Sequence, residues 1–173
     1  MLKKKIGLLL NAARDEIHHD EYVIIGSLSV LGAHDAPPLG MVTSVDVDLY
    51  PKNDPDRAGE VARKLGFGSA FEATHGIYAD AVSPALAALP DGWELRLVRV
   101  KFGKTIGWFL DPNDAAVSKY VRGEARDRTW LRAGLAGGIL SLPIIEERLR
   151  ITYVASPEEA AAARLAMAED ILK

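Results

Sequence analysis

Two aspartates, Asp46 and Asp48, stand one residue apart inside the alternating run Met41–Tyr50. In an extended strand, residues i and i+2 project from one face, about 6.5–7 Å apart along the backbone. Carboxylates held that close repel each other when ionised unless a cation sits between them. Mg²⁺ or Mn²⁺ suits such a pair, because hard ions take oxygen ligands, commonly one or two carboxylates plus substrate phosphates. Upstream, the β-branched run Glu21–Ile25 ends at Gly26-Ser27. A Gly-Ser turn between a strand and a helix offers backbone N–H groups and a hydroxyl to a phosphate. The two features together can hold a metal–triphosphate and direct a nucleophile at phosphorus. The same residues also suit plainer roles: a D-x-D can be the solvent face of an antiparallel edge, and Gly-Ser is common in turns. Local conflict favours chemistry, since aspartate is depleted in strands and two stand here among strong strand formers.

Leu2–Asp15 is a short amphipathic helix, and Glu21–Ile25 is a strand. Leu28–Leu31 has helical character before Pro37-Pro38 breaks the chain. In Met41–Tyr50, Val45, Val47 and Leu49 take one face, while Ser44, Asp46, Asp48 and Tyr50 take the other. Asp54-Pro55 predicts an N-cap and first helical residue, followed by an apolar stripe at Ala58, Val61, Ala62 and Leu65 that stops at Gly66. Ser69–Val82 predicts two strands around His75-Gly76, and Ser83-Pro84 caps a helical turn over Ala85–Leu89. Trp93–Lys101 and Thr105–Leu110 predict a hairpin around Phe102-Gly103-Lys104. Helical signals then dominate: Asp111-Pro112 opens one helix, Arg126–Leu135 forms another and Pro143–Leu149 a third. Ser156-Pro157-Glu158-Glu159 is a capping box opening Pro157–Leu172. The expectation is a mixed α/β fold of the α+β kind. Residues 1–110 form its core, and a helical part at 111–173 packs on that core as one compact unit.

Composition excludes several alternatives. The 173 residues contain no cysteine, so there is no disulfide framework, thiol nucleophile or thiolate metal site. The apolar run Ile6–Leu10 follows three lysines, but it is far shorter than the ~20 residues of a membrane span. It stops at Asn11 and meets Arg14, Asp15 and Glu16, which argues against an export signal and for a cytoplasmic, membrane-free protein. Charge is uneven. Between Arg96 and Arg132 there are nine basic and four acidic residues, leaving that segment at +5 inside a chain of net charge −3. A basic region in an acidic protein suits a phosphate-bearing substrate, or simply solvated helix faces.

Tyr22–Gly32 (YVIIGSLSVLG) followed by Ser44–Leu49 (SVDVDL) resembles the hG[GS] and [DE]h[DE]h signature of the polymerase-β-like nucleotidyltransferase superfamily. Pro51–Arg57, Thr74–Tyr78, Leu89–Arg96 and Asp114–Lys119 through Arg126-Asp127 are similar to a branch of small prokaryotic nucleotidyltransferases. That branch is related to the abortive-infection and MenA-type toxins. The resemblance covers residues 10–150 and leaves the last helix outside it. It implies transfer of a nucleoside monophosphate from an NTP to an acceptor, either RNA (tRNA in some relatives) or a protein, and an antitoxin partner. It also implies that Gly26 and Ser27 bind the triphosphate, Asp46 and Asp48 ligate the metal, Lys119 contacts phosphate and Asp127 supports that site. On a continuous helix Lys119 and Asp127 would lie about 80° apart, with Gly123 between them as a breaker. The superfamily's third carboxylate falls on a later strand, where Asp80 in Tyr78–Val82 is the match and Glu94 the alternative. In the superfamily this acid serves as general base, so its assignment separates an active enzyme from a catalytically silent nucleotide- or partner-binding domain.

Other polar residues read as structural. His18-His19-Asp20-Glu21 is a polar connector, because adjacent side chains diverge on any regular element. His75 belongs to a hairpin turn or stands near the site, Trp93 belongs to the core, and Lys52, just past the acidic strand, is solvated or reaches a phosphate. Arg96 is either a buried ion-pair partner or a phosphate contact. The alanine-rich stripe of the last helix serves packing or an oligomer contact.

Overall fold

The computed structural model describes residues 2–171. Five strands form one mixed sheet: β1 (Glu21–Ile24), β2 (Asp46–Pro51), β3 (Tyr78–Ala81), β4 (Val98–Phe102) and β5 (Thr105–Phe109). Their spatial order is β3-β2-β1-β5-β4, with β1–β2 and β4–β5 antiparallel and β1–β5 and β2–β3 parallel. The helices are α1 (Leu2–Ile17), α2 (Ala58–Leu65), α3 (Ala70–His75), α4 (Pro112–Arg122), α5 (Ala125–Ala136), α6 (Leu142–Arg150) and α7 (Pro157–Ile171). This is the mixed α/β architecture of a nucleotidyltransferase fold, with a helical C-terminal part.

Period-two burial decides which sheet face does what. Tyr22, Ile24, Val47, Leu49 and Phe109 are fully buried on the face covered by α1, whose Ile6, Leu9, Leu10 and Ala13 supply the other half of the core. Gly107 keeps that contact close, because a Cβ there would press on Phe109, Ile24 and Leu10. The opposite face of β2 carries Asp46, Asp48 and Tyr50, in line with the alternation.

Several local expectations are corrected. Residues 70–75 form α3 rather than a strand: the Ser69 hydroxyl accepts the Glu72 N–H (3.1 Å), and the Glu72 carboxylate accepts the Gly68 N–H (2.6 Å). A six-residue helix is too short to show a stripe, and that reciprocal cap was its only signal. Strand β2 starts at Asp46 rather than Met41, so the two acids stand at the head of the strand rather than its middle. Trp93–Arg96 is a 3₁₀ turn and β4 begins only at Val98. Ser83 closes a turn through the Ala85 and Leu86 N–H groups, and no helix follows. Asp54 makes no side-chain cap; Pro55–Arg57 forms a 3₁₀ turn that leads into α2. The expected bounds hold more closely at α4, where Asp111 accepts the Asn113 and Asp114 N–H groups, and at the β4–β5 hairpin. Helix α7 runs as expected to Ile171, and Leu172 lies outside the described residues.

Candidate active site

The parallel pairing of β2 with β3 sets Asp48 opposite Asp80 and Asp46 opposite Tyr78. One carboxylate oxygen from each of Asp46, Asp48 and Asp80 lies within 4.8 Å of the other two. Among the described residues this is the one cluster of three or more His, Asp or Glu side chains with metal-binding geometry. Asp46 and Asp48 are half-buried and Asp80 is exposed. The Ser44 hydroxyl donates to the Asp46 carboxylate. Burial, reinforced by the neighbouring Asp46 and Asp80 charges, pushes the Asp48 carboxyl up from 3.8 to about 6. Glu94 lies outside this cluster, exposed on the 3₁₀ turn before β4.

Gly26 lies directly beneath Asp48. Its backbone sits at φ +71°, ψ −158°, a conformation open essentially only to glycine, and a Cβ there would overlap the Asp48 carboxylate. The turn is closed by the Ser29 hydroxyl, which donates to the Gly26 carbonyl (2.8 Å). Ser27 then opens a 3₁₀ helix, Ser27–Gly32.

The helical part meets this turn through Lys119. Its Nζ donates to the Ser27 hydroxyl (2.9 Å) and to Asp127 Oδ1 (3.0 Å), and it stands 4.9 Å from the centre of the Trp130 ring. The pairing arises because Gly123, at φ +71°, ends α4 and lets α5 turn back, so Asp127 approaches from the next helix rather than around the same one. Lys119 and Asp127 are both buried. Burial pulls the Lys119 ammonium pKa down, against the Asp127 charge that holds it up. For Asp127, burial pushes upward, but the Arg122 hydrogen bonds and the Lys119 charge outweigh it and leave its carboxyl low.

Two residues of this arrangement escaped the sequence reading. Arg122 donates twice to Asp127 (2.8 and 2.6 Å), and Trp130 donates from Nε1 to the Ser27 carbonyl (3.1 Å). Their spacing carries a faint signal. Arg122 follows Lys119 by one helical turn, and Trp130 follows Asp127 by the same interval.

A cleft of about 820 Å³ joins these parts. Gly26 and Asp48 line it together with Lys119, Arg122, Glu124 and Glu159 and two loop segments, Ala85–Leu89 and Tyr153–Ala155. Those segments are tied side by side by the Pro90–Thr152 bridge and the Asp91 N–H to Ile151 carbonyl bond (3.0 Å). Its lining therefore combines charged side chains with the apolar ones of those segments, and Tyr153 is 84% exposed.

The remaining polar residues have structural partners. Arg96 forms an ion pair with the fully buried Asp114 (2.8 Å), which also binds Arg148 (3.0 Å). The His75 carbonyl accepts Lys5 Nζ (2.6 Å), and His19 lies 3.8 Å from Asp54. Trp93 is half-buried against the core. Of the nine cations in the basic segment, Arg96, Lys119, Arg122, Arg126, Arg128 and Arg132 are ion-paired with carboxylates. Arg99, Lys101 and Lys104, on β4 and its turn, have no acidic partner among the described residues.

A Gly-Ser turn after the first strand, acids on the adjacent strands and a helical part that supplies a lysine define the nucleotidyltransferase class. The chain belongs to the family described as "Nucleotidyltransferase of unknown function (DUF6036)", whose model matches residues 2–170. That match takes in most of α7, which the resemblance in sequence left outside. No curated protein and no solved structure matches the chain.

Proposed function

We propose that this protein transfers a nucleoside monophosphate from a metal-bound NTP to a hydroxyl-bearing acceptor. The observation that carries this reading is the in-register acid cluster Asp46, Asp48 and Asp80, whose Asp48 is set against Gly26 and lines one cleft together with Lys119. The donor set fits a hard divalent ion: three carboxylates are held together by strand register, with no basic side chain hydrogen-bonded to any of them among the described residues. Asp46 and Asp48 would hold Mg²⁺ or Mn²⁺, which supplies charge neutralisation and Lewis-acid polarisation of the phosphates when bound.

The chain's own residues do the rest. Lys119 and Arg122 bring positive charge to the phosphate end of the cleft, and Asp127 orients both. Ser27 offers its hydroxyl to a phosphate oxygen, held in place by Lys119 and Trp130. The apolar lip of Ala85–Leu89 and Tyr153–Ala155 accommodates the nucleobase, with the exposed Tyr153 ring available for stacking. Asp80 is the most exposed of the three acids and accepts the proton of the attacking hydroxyl. In that step the acceptor oxygen bonds to the α-phosphorus, and the α-phosphorus to bridging-oxygen bond breaks. Pyrophosphate then leaves with the bonding pair. In this reading residues 1–110 are the catalytic core and 111–173 complete its phosphate side.

Calorimetry and thermal shift with Mg²⁺ and each NTP test the reading. Stabilisation by Mg²⁺–NTP that disappears in Asp46→Asn and Asp48→Asn supports it, and no response to any NTP overturns it. Incubation with α-labelled NTP and total cellular RNA or protein separates an enzyme from a silent nucleotide-binding domain, because only an enzyme transfers label. An antitoxin role for a partner would show as suppression of that transfer by the neighbouring gene product.

A further inference from the structure

Beyond the cleft, the sheet face that carries the acids continues across β1 and β5 to β4. Register places Tyr50, Val23, Trp108 and Arg99 in one row across four strands, and Ile106 and Lys101 in the next row out. Arg99 and Lys101 on the edge strand β4 and Lys52 just past β2 are exposed, and none has an acidic partner among the described residues. Lys52 Nζ stands 5.0 Å and the Arg99 guanidinium 6.0 Å from the centre of the Trp108 ring. Glu21 is the acid beside them, and its carboxylate is engaged by Trp108 Nε1 (2.6 Å), which fixes the indole. The basic excess of the sequence thus has its unneutralised part here, on the sheet edge, while the cations near the cleft are balanced by carboxylates.

We propose that this strip binds the backbone of a single-stranded polynucleotide and so docks the acceptor. Three features carry the choice. Unpaired cations favour a polyanion over a neutral ligand. Arg99 and Lys101 alternate on one strand face about 6.5–7 Å apart, close to the step between successive phosphates of an extended polynucleotide. The indole and the adjacent guanidinium provide flat surfaces on which bases stack. By strand spacing and rise, Arg99 lies about 16 Å from Asp48, and the buried Val23 and Tyr50 stand between them on that face. The acceptor role rests on the transfer reading above, but RNA binding by the strip does not.

The test is fluorescence anisotropy of the full chain with an unstructured RNA of about 12 nucleotides, matching the footprint of small single-strand binders. Three phosphate contacts predict a log–log salt slope of about −2, or roughly a 15-fold loss of affinity between about 50 and 200 mM salt. Replacing all three cations (Lys52→Ala, Arg99→Ala, Lys101→Ala) should abolish binding, and these exposed positions leave the core untouched. Trp108→Phe should weaken binding while leaving the salt slope in place. Stabilisation by Mg²⁺–NTP should be the same in the triple variant as in the wild type, which shows that the loss is local. The proposal is overturned if the triple variant binds RNA normally or also loses the NTP response. It is equally overturned if a polyglutamate peptide of the same length competes as well as RNA. RNA binding without any NTP response keeps the strip and refutes the transfer reading instead.

Discussion

Replacing Asp48 with asparagine should stabilise the metal-free protein while abolishing its response to metal. The half-buried side chain stands between Gly26 and two other carboxylates, and its carboxyl is pushed from 3.8 to about 6 by desolvation and by Asp46 and Asp80. At neutral pH the folded protein holds a charge that burial and like-charge repulsion both oppose. The gap between 3.8 and about 6 corresponds to about 3 kcal/mol. The sign follows from proton linkage. Below about pH 4 the folded and unfolded chains both carry the proton, and no penalty exists. As pH rises through about 6 the folded state must give up a proton it binds more tightly, and that stability is lost. Asparagine is nearly isosteric and carries no charge, so Asp48→Asn should match the wild type near pH 4 and exceed it above pH 6. For a chain of this size the advantage amounts to several degrees in Tm, up to about 10 °C. Differential scanning fluorimetry in chelator across this pH range reads the effect directly. Added Mg²⁺ should raise the wild type toward the variant, less so below pH 6 where the ion competes with a proton, and should leave the variant unmoved. A variant less stable than the wild type in chelator at pH 8, or a difference that does not change with pH, refutes this account of the cluster.

Three further outcomes are expected. Gly26→Ala forces a Cβ onto the Asp48 carboxylate and strains the left-handed backbone, so it should lower stability by about 1–3 kcal/mol and remove Mg²⁺–NTP stabilisation together; calorimetry reads the binding and urea unfolding the stability. Asp127→Ala leaves Lys119 buried without its carboxylate and should cost about 3–5 kcal/mol. Lys119→Met should cost less in the same urea titration, because Asp127 keeps both Arg122 bonds. Tyr153→Ala, at an exposed position, should leave Tm unchanged and weaken NTP binding on the order of tenfold. Its binding of Mg²⁺–tripolyphosphate should be unchanged, and equal weakening of both ligands would refute the nucleobase lip.

The sequence alone determined the parts of this protein whose structure is local. Gly26-Ser27 after a β-branched run, two acids on one strand face, the Asp111-Pro112 cap and the Gly103 hairpin all follow from backbone preferences within a few residues. Its errors fall where local signal is thin or ambiguous. Helix α3 is too short for a stripe, and the alternation from Met41 is not used because Met41 closes a 3₁₀ turn and only Val45, through its carbonyl, bonds the neighbouring strand. Tertiary structure decided everything that depends on which elements become neighbours. Sequence left Asp80 and Glu94 as alternatives for a third acid, and the β2–β3 register sets Asp80 beside Asp48 while Glu94 falls elsewhere. Lys119 and Asp127 meet because Gly123 reverses the chain between two helices, which brings Arg122 and Trp130 to the same point. The charge map changed in the same way. A segment of net +5 in the sequence becomes, once ion pairs form across helices, a balanced cleft and a separate strip of free cations on the sheet edge. Side-chain type is written in the sequence, but strand register and helix approach are fixed by burial of the whole core, and those distances are what turn scattered acids and bases into a site.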